Sequence, residues 1–214
     1  MLPLDDRFVE RANPALAGRP QLIKGNRQLL FGGMARLSES SIVNYKNKTH
    51  AVTAEVVVPP AGAEGAIISV GGIFGGWSLY AKGGKLKYHY NFYGMSRYTV
   101  EGSLKIPPGT HQVRMEFQYD GGGLAKGGAV TLYVDGKKAG EGRVDHTEPF
   151  VFSADETCDI GDDFGTPVTD DYPARGARFN GEVIWVEIDI GEESINLDHL
   201  ISPEQRLNLA MALQ

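Results

Sequence analysis

The chain has 214 residues, of which 42% are hydrophobic and 22% are charged. This balance excludes a wholly disordered chain and an integral membrane protein, and the length is sufficient for one substantial core. The formal net charge is -6 and the basic residues are scattered along the sequence, which argues against nucleic acid or an anionic membrane as a partner.

Residues 1–28 are predicted to form an extended arm. Asn13-Pro14 and Gly18-Arg19-Pro20 interrupt any helix before it gains two turns. We expect such an arm to pack on a neighbouring domain. The first residues, 1–7, lack the uninterrupted apolar run of a signal peptide. The sequence as it stands therefore predicts a cytoplasmic location, or a periplasmic one if a parent protein carries an export signal upstream.

Residues 29–191 are predicted to form one all-β domain. The alternation of apolar and polar residues that is typical of half-buried strands is strongest in 50–58, 85–92 and 111–119. Asp135-Gly136, between two alternating runs, predicts a tight hairpin. Short strands without helices between them indicate two packed antiparallel sheets. The predicted strands are 29–37, 50–58, 65–70, 77–81, 85–92, 97–101, 110–119, 129–134, 137–144, 156–160 and 181–190.

Residues 192–214 form a tail whose composition differs from that of the strands. Ser202 followed by Pro203, with Gln205 three positions after the serine, predicts a capping box and a helix over 202–213. Leu207, Ala210 and Met211 would form one stripe of this helix. A helix this short is marginal alone, so we expect it to lie on another surface.

Seven segments of the chain, and a closing tail, carry a resemblance to a known family. The segments are Leu2-Pro3-Leu4-Asp5-Asp6-Arg7, Gly62-Ala63-Glu64-Gly65, Phe74-Gly75-Gly76-Trp77-Ser78-Leu79-Tyr80, Tyr88-His89-Tyr90-Asn91-Phe92, Tyr119-Asp120-Gly121-Gly122-Gly123, Leu132-Tyr133-Val134-Asp135-Gly136-Lys137 and Gly165-Thr166-Pro167-Val168-Thr169-Asp170-Asp171-Tyr172. The tail is Leu197-Asp198-His199-Leu200-Ile201-Ser202-Pro203-Glu204. In this order and at these intervals they resemble the C-terminal region of bacterial type I arylsulfatases, and the resemblance runs almost from end to end.

The resemblance implies a jelly-roll accessory domain, similar to concanavalin A-like and laminin G-like sandwiches. It implies that the catalytic domain, with a Cys/Ser-X-Pro-X-Arg motif, lies elsewhere. The single cysteine, Cys158, is followed by neither the proline nor the arginine of that motif, and no serine completes it. The sequence therefore predicts a domain that is not an enzyme by itself.

An acidic segment is the strongest candidate for a metal site. Asp159, Asp162, Asp163 and Asp170, with Asp171, lie within thirteen positions that also contain glycine and proline. Carboxylates on flexible loops suit calcium, and concanavalin A-like folds often carry it in such a loop. The alternative is a turn-rich loop whose carboxylates accept hydrogen bonds from backbone amides. The spacing does not match an EF-hand.

Tyr93, Arg97 and Tyr98 are the candidate ligand-binding residues. They lie in or beside a predicted turn, and Arg97 could bind a sulfate or carboxylate. The aromatic residues of the neighbouring strands could form a sugar-stacking platform, but alternating strands normally send such residues into the core. This interpretation applies to Trp77, Tyr80, Tyr88, Tyr90 and Phe92.

The sequence leaves three functions open. The first is a non-catalytic accessory domain of an arylsulfatase-like protein, partnered by a sulfatase catalytic domain in the same chain or in another. The second is a stand-alone lectin-like module that binds carbohydrate on one sheet face or at the loop rim. The third is a homo-oligomer that associates through the N-terminal arm and the C-terminal helix.

Overall fold

The computed structural model describes residues 23–153, 156–173, 175–196 and 198–212. Most of the predicted arm thus lies outside the described residues. Within these ranges the chain forms eleven strands and one α-helix. The strands are β1 (Arg27–Phe31), β2 (His50–Val58), β3 (Gly65–Gly72), β4 (Gly75–Lys82), β5 (Lys85–Phe92), β6 (Ser96–Lys105), β7 (Gly109–Tyr119), β8 (Gly128–Val134), β9 (Lys137–Val144), β10 (Cys158–Ile160) and β11 (Glu182–Ile190), and the helix is α1 (Pro203–Ala212).

The strands pair antiparallel in two sheets that face each other across the core. The first sheet has the order β1-β11-β2-β7-β8-β9, and the second has the order β10-β3-β4-β5-β6. In the first sheet Val52 lies between Met115 and Ile188, and all three are fully buried. The all-β sandwich prediction is therefore confirmed, and alternation decides which side of each strand enters the core.

The first strand begins earlier and ends earlier than predicted. Arg27–Phe31 pairs with β11, so β1 starts inside the segment assigned to the arm. It ends at Gly32-Gly33, where Gly33 has φ +83° and a side chain at Gly32 would meet the Val183 carbonyl oxygen. The glycines therefore end the strand, although the sequence predicts that the strand continues through them.

The tail packs on the outer face of the first sheet of its own chain. Gln112 in β7 is hydrogen-bonded through its side chain to both backbone groups of Ile201, at 2.8 and 2.9 Å. The predicted capping box is present: the Ser202 backbone N–H donates to Gln205 Oε1 at 2.9 Å, and the Gln205 N–H donates to Ser202 Oγ at 3.2 Å. Of the predicted apolar stripe, Leu207 and Met211 are 59% and 64% exposed, so these two side chains lie largely in solvent.

In the described part of the chain, no helix is long and apolar enough to cross a bilayer.

Candidate functional site

Four polar side chains share the outer face of the second sheet along β5 and β6. Alternation sends the tyrosines of β5 into the core and leaves Lys87 and His89 on the opposite side. In the register of the two strands, His89 lies opposite Thr99. Arg97 comes two positions before Thr99 in β6 and lies on the same face. We call Lys87, His89, Arg97 and Thr99 the polar face.

A loop over residues 161–178, described except at 174, covers the other half of this sheet. The Tyr172 hydroxyl lies 2.6 Å from the Asp163 carboxylate and 2.9 Å from the Ser78 hydroxyl. Tyr80 Oη donates to Asp171 at 2.6 Å. Ser78 and Tyr80 both belong to β4, so the loop lies over that part of the sheet. Arg97 and Thr99 in β6 remain exposed.

Arg97 is the more accessible of the two cations on the polar face. Its side chain is 32% exposed, against 15% for Lys87. Arg97 Nη1 donates to Asp170 Oδ2 at 2.7 Å, and the Asp170 side chain is 86% exposed. Solvent-exposed ion pairs contribute only about 0–1 kcal/mol. Arg97 can therefore exchange Asp170 for another anion at little energetic cost.

Lys87 is held in place by two carboxylates of the same face. Its Nζ lies 3.0 Å from Asp171 and 3.1 Å from Glu101. Burial lowers the pKa of Lys87, but the hydrogen bonds to Asp171 and Glu101 outweigh it and leave the pKa raised. Lys87 therefore stays charged and contributes a fixed positive group next to the more exposed Arg97.

His89 is the buried member of the polar face. Its Nδ1 lies 2.8 Å from Thr99 Oγ1, and the residue is 5% exposed. Burial, followed by the nearby Arg97 charge, lowers the pKa of His89 to about 4. His89 is therefore neutral near pH 7 and acts as a hydrogen-bonding group, not as a charge.

The three predicted ligand residues do not form one cluster. Tyr93 lies at the β5–β6 turn with φ +52° and is 41% exposed. Burial and the nearby Glu148 carboxyl raise its pKa to about 12. Arg97 lies on the outer face. Tyr98 lies on the other side of β6, partly buried against the core. Consecutive residues of a strand point to opposite faces, so Arg97 and Tyr98 cannot contact one ligand together.

Most of the aromatic residues that could have formed a platform are in the core, as expected from alternation. Trp77, Tyr88 and Tyr90 lie in the core between the sheets, and all three are at most 4% exposed. Tyr80 is also buried, but on the outer face of the second sheet beneath the loop, where it packs against Tyr172. Phe74 is instead 70% exposed, in the turn between β3 and β4. Its position between two glycine pairs, Gly71-Gly72 and Gly75-Gly76, is the signal in the sequence for an exposed turn.

The aspartates of the acidic loop have separate partners. Asp159 accepts the backbone N–H groups of Arg36 and Phe164, at 2.6 and 3.1 Å. Asp163 accepts the N–H of Val168 at 3.0 Å, and burial raises its pKa to about 6.

Asp162 accepts the N–H of Asp163 at 2.9 Å, and Asp170 pairs with Arg97. Among the described residues no three His, Cys, Asp or Glu side chains are placed to hold a metal ion. The loop thus has the geometry of the amide-capping alternative, and calcium stays a prediction.

Sequence reasoning had not assigned Lys87, His89 or Thr99 to the site. The alternation in β5 did place Lys87 and His89 on its polar side, and this was the available signal. Their pairing with Thr99 and with the loop depends on contacts between distant segments, such as Arg97 with Asp170, which are 73 positions apart.

No family model matches the chain, and no curated protein matches it. Several solved structures, in contrast, are similar to this chain. The CBM40 domain of the Ruminococcus gnavus IT-sialidase is similar at 14% identity with a TM-score of 0.52, over 85% of this chain and 97% of that chain. The same domain bound to α2,3-sialyllactose gives the same values. The K499G mutant of NanB sialidase from Streptococcus pneumoniae is similar at 13% identity with a TM-score of 0.53, over 85% of this chain and 29% of that chain.

These likenesses establish the fold: the chain is a β-sandwich of the kind seen in CBM40 lectin-like domains. At this level of identity they establish nothing about function. The similar structures named above are not arylsulfatases, so the arylsulfatase resemblance stays a prediction.

Proposed function

We propose that this chain is a non-catalytic carbohydrate-binding module, and that its polar face binds an acidic glycan. The observation that carries the proposal is the position of Arg97: a guanidinium at a solvent-exposed sheet face, paired with an aspartate that is itself almost fully exposed. A ligand carboxylate or sulfate can replace this aspartate and form two parallel hydrogen bonds to the guanidinium.

The neighbours of Arg97 suit the hydroxyl groups of a sugar. Thr99 offers a hydroxyl, and Glu101 offers a carboxylate that is 44% exposed. Lys87 is held by its hydrogen bond to Asp171, so its charge is already in place when a ligand arrives, and buried His89 holds the Thr99 hydroxyl from beneath. Side chains that are held before binding lose little conformational entropy on binding.

The fold supports the same proposal. The Ruminococcus gnavus domain is a CBM40 and has been described bound to α2,3-sialyllactose and to α2,6-sialyllactose. Sialyllactose carries one carboxylate among many hydroxyls, which is the chemistry that the polar face complements. We therefore take sialyllactose as the first ligand to test, with lactose as its neutral counterpart.

Arg97→Ala is expected to weaken binding of 3′-sialyllactose at least tenfold. Hydrogen bonds to charged groups contribute roughly 1.5–3 kcal/mol each, and about 1.4 kcal/mol corresponds to a factor of ten. Titration followed by NMR chemical shifts measures the change and maps the site. The matched control is Arg143→Ala, which removes an arginine from another exposed ion pair, with Asp120, in the first sheet. Equal binding by the wild type and both variants, or no binding of any acidic glycan by the wild type, contradicts the proposal.

Asp170→Asn is expected to tighten the same binding about twofold to fivefold, because the ligand anion then displaces a neutral group and no longer competes with an exposed ion pair. Asp120→Asn, which changes the aspartate of the other exposed pair, is the control. Weaker binding by Asp170→Asn would show that Asp170 contacts the ligand directly and does not compete with it.

A further inference from the structure

A cavity lies between the two sheets at the end of the sandwich where β2 and β4 begin. Its volume is about 10 Å³, close to the space of ~10–15 Å³ that one water molecule needs. It is separate from the polar face, which lies on the outside of the second sheet. We call it the end cavity, and its walls are largely aromatic: Tyr45, His50, Trp77, Tyr88, Tyr90 and Phe117.

Four buried polar atoms on these walls have no partner. Tyr45 Oη, His50 Nε2, Trp77 Nε1 and Glu148 Oε2 form no hydrogen bond with any described residue. The four residues are at most 5% exposed, and all four line the end cavity. Buried polar groups in folded proteins are almost always satisfied by protein or by ordered water. Four such groups around one small space indicate a common polar ligand.

The donor and acceptor types of these atoms define that ligand. His50 Nδ1 lies 2.9 Å from the Lys48 carbonyl oxygen, which can only accept. The His50 proton is therefore on Nδ1, and Nε2 presents a lone pair to the end cavity. Trp77 Nε1 can only donate. The Tyr45 hydroxyl can do either, and so can the Glu148 carboxyl while it is protonated. The ligand must donate and accept at once.

We infer that one water molecule binds in the end cavity, accepting from the Trp77 indole N–H and donating to His50 Nε2. Tyr45 and Glu148 complete its hydrogen bonds, and buried waters typically make about three. A cation fits poorly, since the indole N–H presents positive charge to the end cavity and the cationic Lys46 is among its lining residues. Because His50 belongs to β2 and Trp77 to β4, the water joins the two sheets.

This inference does not depend on the proposed carbohydrate binding. A crystal structure of the full chain, at a resolution that shows ordered solvent, is expected to contain one water peak within hydrogen-bonding distance of Trp77 Nε1 and His50 Nε2. In solution, oxygen-17 relaxation dispersion of the wild type is expected to detect this long-lived internal water.

His50→Phe keeps the ring that stacks on Phe117 but removes the acceptor, so the crystal peak and the corresponding relaxation amplitude are expected to disappear. His111→Phe, outside the end cavity, is expected to keep both. A wild-type crystal structure in which the four groups bond to one another with no water between them would overturn the inference. A metal or alkali cation at the site, or an unchanged peak in His50→Phe, would also overturn it.

Discussion

Replacing Arg114 with alanine is expected to lower the free energy of unfolding by about 3–5 kcal/mol, because it leaves a buried carboxylate without its cation. Arg114 lies in β7 and is 2% exposed. Its guanidinium donates to Glu116 at 2.8 Å, to the Thr53 hydroxyl at 2.6 Å and to the Ser194 carbonyl oxygen. Glu116 is 4% exposed. The substitution removes one charge and three hydrogen bonds at once.

The same substitution is expected to loosen the tail. Ser194 follows β11, and His199, which lies 3.0 Å from Glu116, contacts the same buried charges. Without Arg114, the Ser194 carbonyl loses its donor and Glu116 loses its arginine partner. Limited proteolysis is therefore expected to cut within residues 191–202 earlier in the variant than in the wild type.

Urea unfolding of three variants measures this effect and separates its causes. Arg143→Ala removes an arginine from an exposed pair and is expected to change stability by about 0–1 kcal/mol. The double variant Arg114→Met with Glu116→Leu is expected to recover much of the loss, because it leaves no uncompensated charge under the tail. If the free energy of unfolding of Arg114→Ala lies within about 1 kcal/mol of that of the wild type, the buried pair does not stabilise the tail.

The strands with the clearest alternation were the most predictable part of the fold. The segment 85–92 coincides with β5, and Asp135-Gly136 forms the turn between β8 and β9. Both signals are local, since side-chain period and turn chemistry act within a few residues. The segment 156–160 is shorter as a strand, because only Cys158–Ile160 finds a partner, opposite Ile68 to Val70 in β3. Such an end is set by the partner strand and not by the strand's own sequence.

The candidate site was predictable only in part, for a related reason. Alternation could place Lys87 and His89 on one polar side of a strand, and turn composition could bring Arg97 near the surface. No local pattern shows that residues 161–178 return to lie over β4 and set Asp170 against Arg97. The acidic segment suggested calcium because clustered carboxylates are ambiguous in sequence: the same residue type binds metals and caps backbone amides.

Replacing Glu148 with glutamine is expected to stabilise the protein at alkaline pH and to have little effect at acid pH. Glu148 is 1% exposed, with its side chain close to Lys46, Glu39 and Tyr93. Burial raises its pKa from 4.5 to about 7, the Lys46 charge and the Tyr93 hydrogen bond lower it only in part, and the Glu39 charge raises it further. The folded chain thus keeps a proton on Glu148 that the unfolded chain has already released.

The sign of the pH dependence follows from that difference. Between about pH 4.5 and pH 7 the folded state binds more protons at this position than the unfolded state, so the contribution of Glu148 to stability is lost as the pH rises. Glutamine resembles the protonated acid and does not titrate. The free energy of unfolding of the variant is therefore expected to equal that of the wild type at about pH 4.5 and to exceed it by about 2–3 kcal/mol at about pH 8.

Urea unfolding of the wild type and Glu148→Gln over this pH range isolates the effect, because the contributions of His50, His89 and Asp163 are common to both proteins and cancel in the difference. Glu141→Gln is the matched control for loss of a surface charge: its carboxylate is 72% exposed and pairs with Lys138, so this substitution is expected to change the free energy of unfolding by only about 0–1 kcal/mol. A Glu148→Gln difference that stays constant over this range would mean that folding does not raise the pKa of Glu148, and that the Lys46 charge fully offsets its burial.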